Sequence, residues 1–417
     1  MTEKRPHVVI VGAGFGGIKA ATLLAKEKVD ITIVDRQNFH LFQPLLYQLS
    51  TSVLSTDEIA HPIRAFFRRY PNVDLFMAKA EGVDAERKVL LTNHGEVSYD
   101  YLVLAAGATT NYFGMKSVEE HSYPMKTLQE ALHIRNHVLH MFERANIRQD
   151  SAEERRRMLT FVCVGGGPTG VEEAGALAEL AATMRKEYHN IDFSEVSIKL
   201  IEATDKVLPM MPPELREETV RVLRKKGVDV MLNTQVADCN ADSLTLKDGT
   251  VIPTHTVIWA AGVRAVPFLA NMGAEVDRAG RVVVNKTLQV PAHPEIFAIG
   301  DNASFMQDGR PLPTVAPVAT QQAAVCVDNI KKLLHGKADL KEFTYHDVGS
   351  MATIGRGDAV MCKGNLKMKG FFAWSAWLVV HLMRLAGIYA NVTVTLKWIW
   401  NYLSGTRLGR IVTNIEI

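Results

Sequence analysis

The chain has 417 residues, 47% of them hydrophobic and 22% charged, with a formal net charge of +2. That length exceeds one ordinary core and suggests two or three domains, while the balance excludes a disordered or collagen-like chain. A charge so close to zero gives no reason to expect nucleic acid as a partner.

In chain order, Met1 to Pro6 leads straight into a strand with no signal-peptide pattern, which places the protein in the cytoplasm. His7–Val11 is a β-branched run that turns through Gly12, Ala13, Gly14, Phe15, Gly16 and Gly17 into an apolar helix beginning at Ile18. Asp30–Val34 is the next strand and ends in Asp35, closing a βαβ unit of about the usual ~30 residues. Tyr101–Gly107 is a strand ending in small residues. The charged run Arg148–Arg157 reads as a solvated helix end or linker.

The first grammar then recurs. The strand Thr160–Val164 precedes Gly165, Gly166, Gly167, Pro168, Thr169 and Gly170, a helix through Ala178, and a strand Ser197–Ile201 that ends in Glu202. Thr256–Gly262 is a second strand ending in small residues, and Glu295–Ile299 leads into Gly300-Asp301 after the second unit has closed. The first domain is therefore expected to be discontinuous.

A Gly-x-Gly-x-x-Gly turn works because its first glycine allows the bend, its second lets the backbone approach a pyrophosphate, and its third lets helix and strand pack closely. The helix N-terminus then faces the phosphates. Asp35, 23 residues after Gly12, can accept hydrogen bonds from an adenosine ribose. Gly12, Gly14 and Gly17 with Asp35 thus predict one nucleotide site. Gly165, Gly167 and Gly170 with Glu202 predict another. Glu202 lies 37 residues after Gly165, so the intervening helix is expected to extend through Met184–Asp192. A carboxylate at Glu202 favours NADH, because it repels a 2′-phosphate and no arginine follows it directly.

Four cysteines, Cys163, Cys239, Cys326 and Cys362, stand far apart without a Cys-x-x-Cys pair, so neither a zinc site nor a dithiol centre is legible and reduced, buried thiols are expected. No histidine pair has metal-ligand spacing, and no metal is expected. From Ala359 to Ile415 there is no Asp or Glu, yet this stretch holds seven Lys and Arg residues and four of the five tryptophans. The run from Gly370 to Met383 is too short to span a ~30 Å hydrocarbon core, so an interfacial helix pair with aromatic anchors and basic head-group contacts fits better. A dimer interface is the competing use of the same tryptophans.

Two such units in this order resemble the two-dinucleotide-domain flavoproteins. Within them the chain is similar to the type II NADH:quinone oxidoreductases over nearly its whole length. The residues that carry the likeness are Asp35–Gln48, Gly167–Glu172, Trp259–Arg264 and the basic aromatic tail. The resemblance implies non-covalent FAD at the first unit, with Gly12, Ala13, Gly14, Phe15, Gly16, Gly17, Asp35, Arg36, Ala80, Gly107, Asp301 and Ala316 around it. It implies NADH at Gly165, Gly167, Gly170, Glu202 and Gly262. Glu172 matches a glutamate linked to proton transfer, whereas the plain alternative is that Glu172 and Glu173 complement a helix N-terminus. The family's Ala-Gln-x-Ala-x-Gln quinone motif appears as Ala316-Pro317-Val318-Ala319-Thr320-Gln321, so Pro317 and Gln321 are the quinone candidates and Gln321 is the one able to offer an amide.

The expected architecture is α/β. Two Rossmann-like domains occupy 1–112 with 285–345 (FAD) and 113–284 (NADH), followed by an amphipathic helical membrane-association region, 346–417, separable from both near Gly364. The expected activity is reduction of a membrane quinone by NADH without proton pumping, in the respiratory chain, at the cytoplasmic face of the cell membrane. A soluble NADH-dependent reductase of a small iron–sulfur carrier and a redox-reporting nucleotide-binding protein are the alternatives from other classes.

Overall fold

The structure, a computed structural model, describes residues 5–147, 150–407 and 409–413. Met1–Lys4, Arg148, Gln149, Leu408 and Asn414–Ile417 lie outside the described residues, and with them parts of the expected N-terminal lead, linker and tail. The chain folds into two compact units. One comprises 1–41, 61–109 and 263–348, and the other 42–60, 110–262 and 349–417.

The first unit is built on a six-stranded sheet in the order Gln289–Val290, His293–Ala298, Tyr101–Leu104, His7–Val11, Asp30–Asp35, Val73–Met77. Its five long strands run parallel, in registers such as Ile10 opposite Ile33 and Val103. Covered on both faces, the central strand is almost continuously β-branched, and Val8, Val9 and Ile10 are fully buried. A three-stranded antiparallel meander, Ala80–Asp84, Val89–Thr92 and Gly95–Ser98, is inserted before the chain returns to the sheet.

The second unit repeats the plan. Its five-stranded parallel sheet has the order Tyr123–Pro124, Thr256–Trp259, Thr160–Val164, Ser197–Ile201, Val228–Met231. A second meander, Val236–Cys239, Ser243–Leu246 and Val251–Pro253, sits at the equivalent point of the chain. A third small antiparallel sheet, Ser350–Gly355, Asp358–Lys363 and Leu366–Lys369, leads into helices Gly370–Arg384 and Ile388–Ser404. Gly387 (φ +91°) turns between these helices, and Gly405 in the left-handed region (φ +67°) ends the second.

Three expectations need correction. The first unit resumes at Val263 and not at 285, because Ala265, Leu269, Met272, Val282 and Val284 belong to its hydrophobic core. The helix after the second glycine turn stops at Met184. At 17 residues it exceeds the 10 of its counterpart Phe15–Leu24, and a loop supplies the rest of the longer spacing. The C-terminal region is not a separate body: a side chain on Gly175 of helix Pro168–Met184 would sit 2.2 Å from the Ile354 carbonyl oxygen, so sheet and helix meet backbone to side-chain-free backbone.

The tail itself is divided. Trp377 and Trp398 are buried, with ring centroids 5.8 Å apart, while Phe372, Met383, Ile388 and Leu403 are each more than 70% exposed. Its cations are also largely engaged. Lys367 pairs with Glu214, Lys369 with Glu218, Lys397 with Glu58, Arg407 with Glu179 and Arg410 with Glu187. Five of the seven cations of the tail are thus paired with acids of their own unit. Among the described residues no helix is long and apolar enough to cross a membrane. Cys163, Cys239 and Cys326 are buried free thiols and Cys362 is half-buried.

Candidate active site

In the first unit the glycine turn is fixed by its own backbone. A Cβ on Gly12 (φ +99°) would lie 2.4 Å from the Ala105 carbonyl oxygen, and one on Gly17 would lie 1.8 Å from that of Gly12. A Cβ on Gly14, in contrast, would meet only open space. Gly14 is the N-cap of helix Phe15–Leu24 and supplies no side-chain cap, and the opening N–H groups of a helix have no partner within the helix itself. This is the cradle a pyrophosphate fits.

The Ala13 amide donates to Asp35 Oδ2 at 2.7 Å and the Gln37 amide to Oδ1 at 2.8 Å. Burial pushes the Asp35 pKa up, against these hydrogen bonds, which favour the carboxylate. His40, buried and held neutral by its desolvation, donates from Nδ1 to the Ala13 carbonyl at 2.8 Å. Phe15 lies edge-on to the His40 ring, and Gly16 packs under Ile299. Arg36 is exposed just past the strand end, and Ala80 opens the inserted meander.

Gly107 and the turn carrying Asp301 are joined by a residue the sequence did not single out. Asn302, fully buried, accepts from the Gly107 amide at 3.0 Å and donates to the Leu104 carbonyl at 3.0 Å. Gln322, also buried, accepts from the Gly300 amide at 2.7 Å. Asp301 is half-buried in the short 3-10 turn between them.

Ala316 and Pro317 begin helix Ala316–Leu334, where a proline forfeits no hydrogen bond and its fixed φ favours the start. Gln321 is not a free amide. Its Nε2 donates to the His346 carbonyl and its Oε1 accepts the His346 amide, both at 3.0 Å. That pair uses one of the two N–H groups of the amide nitrogen and leaves the second for a quinone carbonyl.

The second unit repeats the cradle. Cβ atoms on Gly165 and Gly170 would clash at 2.6 and 1.9 Å with the Ala260 and Gly165 carbonyl oxygens, while Gly167 faces open space at the start of helix Pro168–Met184. Glu202 Oε2 accepts from the Gly166 amide at 2.6 Å, as Asp35 does from Ala13. The longer glutamate occupies the room that the Ala13 methyl has in the first cradle, since a Cβ on Gly166 would lie 2.9 Å from Glu202 Oε2. Glu202 Oε1 holds the Thr204 amide and hydroxyl at 2.8 Å. Gly262 accepts from the Asn111 amide at 3.0 Å and lies against the Phe113 ring.

Glu172 and Glu173 follow this turn. Glu172 Oε1 accepts from the Thr353 amide at 3.3 Å. Burial pushes its carboxyl up to about 8, and Glu173 beside it adds to the shift. Glu173 is fully buried and also pushed up to about 8 by burial; its Oε2 accepts from Ser50 Oγ at 2.7 Å and its Oε1 is without a partner. The plain alternative, that Glu172 and Glu173 complement a helix N-terminus, finds no acid in the first turn of helix Pro168–Met184. Carboxyls raised this far can exchange protons near physiological pH, an arrangement suited to proton transfer.

Residues 6–323 match the pyridine nucleotide-disulphide oxidoreductase family. A type II NADH:quinone oxidoreductase, Ndh, of Mycobacterium tuberculosis is 39% identical across 98% of this chain and 90% of that protein. Its namesake from Staphylococcus haemolyticus is 31% identical across 86% and 90%. The chain belongs to the type II NADH:quinone oxidoreductases. The fold agrees with that of a solved NDH2 from Plasmodium falciparum in complex with NADH, at a TM-score of 0.90, 22% identity and coverage of 99% and 100%. Among the type II NADH:quinone oxidoreductases, then, this chain presents two cradles of one design, and the second is followed on its own helix by two adjacent acids, Glu172 half-buried and Glu173 fully buried.

Proposed function

We propose that the enzyme holds FAD non-covalently at the first cradle, oxidises NADH at the second, and reduces a membrane quinone to quinol without pumping protons. The observation that carries this reading is the duplicated hydrogen bond from the glycine turn to a strand-end acid, Ala13 to Asp35 and Gly166 to Glu202. One chain with two dinucleotide cradles suits transfer between two dinucleotides. The relatives' names supply NADH and quinone as the outer reactants.

Gly12, Gly14, Gly17 and the amides opening helix Phe15–Leu24 would hold the FAD pyrophosphate, with Asp35 toward the ribose and Gly107, Asp301 and Ala316 on the same unit. When bound, FAD supplies the hydride acceptor and the route by which electrons pass onward. Gly165, Gly167 and Gly170 orient NADH, and Glu202 excludes NADPH by placing a carboxylate where a 2′-phosphate would come. Reducing a quinone with NADH consumes one proton for each quinol formed. Glu172, with a pKa pushed up to about 8, holds such a proton at neutral pH and can release and regain it. Pro317 shapes the helix start beside Gln321, whose second amide N–H is offered to the quinone carbonyl in this reading while the first stays on His346.

The exposed apolar side chains of the C-terminal helix pair support peripheral attachment to a membrane, which this reading puts at the cytoplasmic face. A homodimer buried on the same face is the alternative use.

The test is to follow the two half-reactions by stopped flow, with ubiquinone, menaquinone and plastoquinone analogues as acceptors. NADH should bleach an FAD chromophore present at about one per chain. Gln321→Ala should slow reoxidation several-fold, the equivalent of ~0.5–1.5 kcal/mol, and leave flavin reduction unchanged. Equal slowing of both half-reactions would remove Gln321 from the quinone site.

A further inference from the structure

The segment after the C-terminal helix pair does something that membrane attachment does not require. It carries Arg407 into the interior, where the residue is only 3% exposed. The Arg407 guanidinium donates from Nη1 to the Thr51 carbonyl at 2.6 Å and from Nη2 to Glu179 Oε2 at 3.3 Å. Around it the segment is stapled down: Gly409 donates to the Ser52 carbonyl, Arg410 pairs with Glu187, and the Thr183 hydroxyl donates to the Gly405 carbonyl.

Burying a guanidinium is costly unless its charge is matched. Glu179 alone does not account for it, because Glu179 Oε1 already accepts from Lys226 Nζ at 3.0 Å and from the Arg356 amide. Lys226 has Asp358 as a second, more exposed partner at 3.9 Å. A second acid acts on Arg407, the buried Glu173, and Glu172 stands beside it on the same helix. The short helix Leu46–Ser50 connects the two sides, since Ser50 donates to Glu173 while the next residue, Thr51, accepts from Arg407.

We propose that Arg407 is a positioning residue for the reaction: its buried charge lets the Glu172–Glu173 pair carry one negative charge, so the C-terminal segment governs how that pair holds and releases protons. This rests on the reading of Glu172 as the proton-handling group. The groups facing Glu173 fit the assignment. Burial opposes its ionised form and Arg407 favours it, while the Glu173 charge raises the Glu172 carboxyl and is felt by Cys163 on the neighbouring strand. Tyr47, whose phenol burial holds neutral, feels both Glu172 and Arg407, and the Arg410 cation also acts on Arg407.

The experiment uses the full-length holoenzyme. In Arg407→Gln the pH midpoint of flavin reduction by NADH should rise by about one unit, as expected for an anion that loses a nearby cation, while Arg407→Lys should restore most of the wild-type profile. In a Glu173→Gln background, Arg407→Gln should move the midpoint little further. That double variant also removes the uncompensated buried anion, so it should be at least as stable as Arg407→Gln alone. An unchanged midpoint in flavin-loaded Arg407→Gln, or an equal shift with and without Glu173, would overturn the proposal. Infrared titration of the carboxylic-acid band in oxidised enzyme, without NADH or quinone, gives an independent reading: the protonated band should persist to higher pH in Arg407→Gln. If NADH failed to reduce the wild-type flavin, the functional reading would fall, and the infrared arm would still decide whether Arg407 sets the charge of the pair.

Discussion

Trp398 donates its indole N–H to Gln48 Oε1 at 2.7 Å, and Gln48 in turn donates to the Tyr47 hydroxyl at 2.8 Å, all three side chains being buried. The last helix of the chain is therefore bolted to a segment about 350 residues earlier. Trp398→Phe should destabilise the protein by about 1–3 kcal/mol, because it strands a buried acceptor. Trp400→Phe, at an exposed position, should fall within about 0.5 kcal/mol of wild type. Chemical-denaturation midpoints compare the two. For the same reason a chain cut near Gly364 should misfold, contrary to the separable tail that the sequence suggested, because it strips the partners of Gln48 and Thr51.

Gly14 and Gly17 should separate cofactor binding from folding. Gly17→Ala places a methyl on the Gly12 carbonyl and should cost about 3 kcal/mol even without flavin. Gly14→Ala meets nothing in the protein, so its apo form should melt as wild type does while its flavin content after dialysis falls sharply. Equal melting losses in both apo variants would argue against Gly14 as the point of pyrophosphate approach.

Glu202→Gln keeps an acceptor for the Gly166 amide but removes the charge. The kcat/KM preference for NADH over NADPH should narrow by roughly tenfold, the equivalent of about 1.4 kcal/mol. Steady-state assays with both nucleotides decide it, and an unchanged ratio would mean the 2′ position is read elsewhere.

The pH dependence of stability has a defined sign. Glu173 has a folded pKa of about 8 against an ordinary 4.5, so the stability it contributes is fully present below about 4.5 and is lost as pH rises through about 8. Glu173→Gln should therefore melt higher than wild type at pH 9 and close to it at pH 4.5. A stabilisation independent of pH would show that Glu173 is not the titrating group.

Because the tail's cations are mostly paired with acids of their own unit, membrane binding should depend on apolar area more than on lipid charge. Phe372→Glu, Met383→Glu and Leu403→Glu, all at exposed positions, should leave the fold intact and each weaken vesicle flotation more than tenfold. Wild type should still bind neutral phosphatidylcholine vesicles at high salt. Release from all vesicles by moderate salt would restore an electrostatic anchor.

Both cradles were legible in the sequence because a glycine turn is a local device: its bend, its helix and its strand-end acid lie within about 40 residues. Their supports were not. Asn302 reaches Gly107 across 195 positions and Ser50 reaches Glu173 across 123, and neither partner betrays itself by periodicity. Gln321 drew attention through its motif while Gln322, the next residue, holds the Gly300 turn; which of two adjacent glutamines faces inward is settled by helix phase against a partner the sequence does not name. The tail misled for a related reason. Its lack of acids is a property of the sequence, whereas neutrality is a property of neighbours, and Glu58, Glu179 and Glu214 come from far up the chain.

The division of the tail's tryptophans also gives the protein a built-in optical gauge. Trp377 and Trp398 sit in an apolar interior, whereas Trp400 is about half exposed and Trp374 stacks partly open against Tyr402. In solution the two classes should emit at short and long wavelength respectively. Movement of the outer pair into a lipid interface would shift only the long-wavelength component to the blue and shield it from aqueous quenchers. Attachment and detachment can thus be followed in unlabelled protein, with the buried pair as an internal reference and Trp259, the remaining tryptophan, also buried and outside the tail.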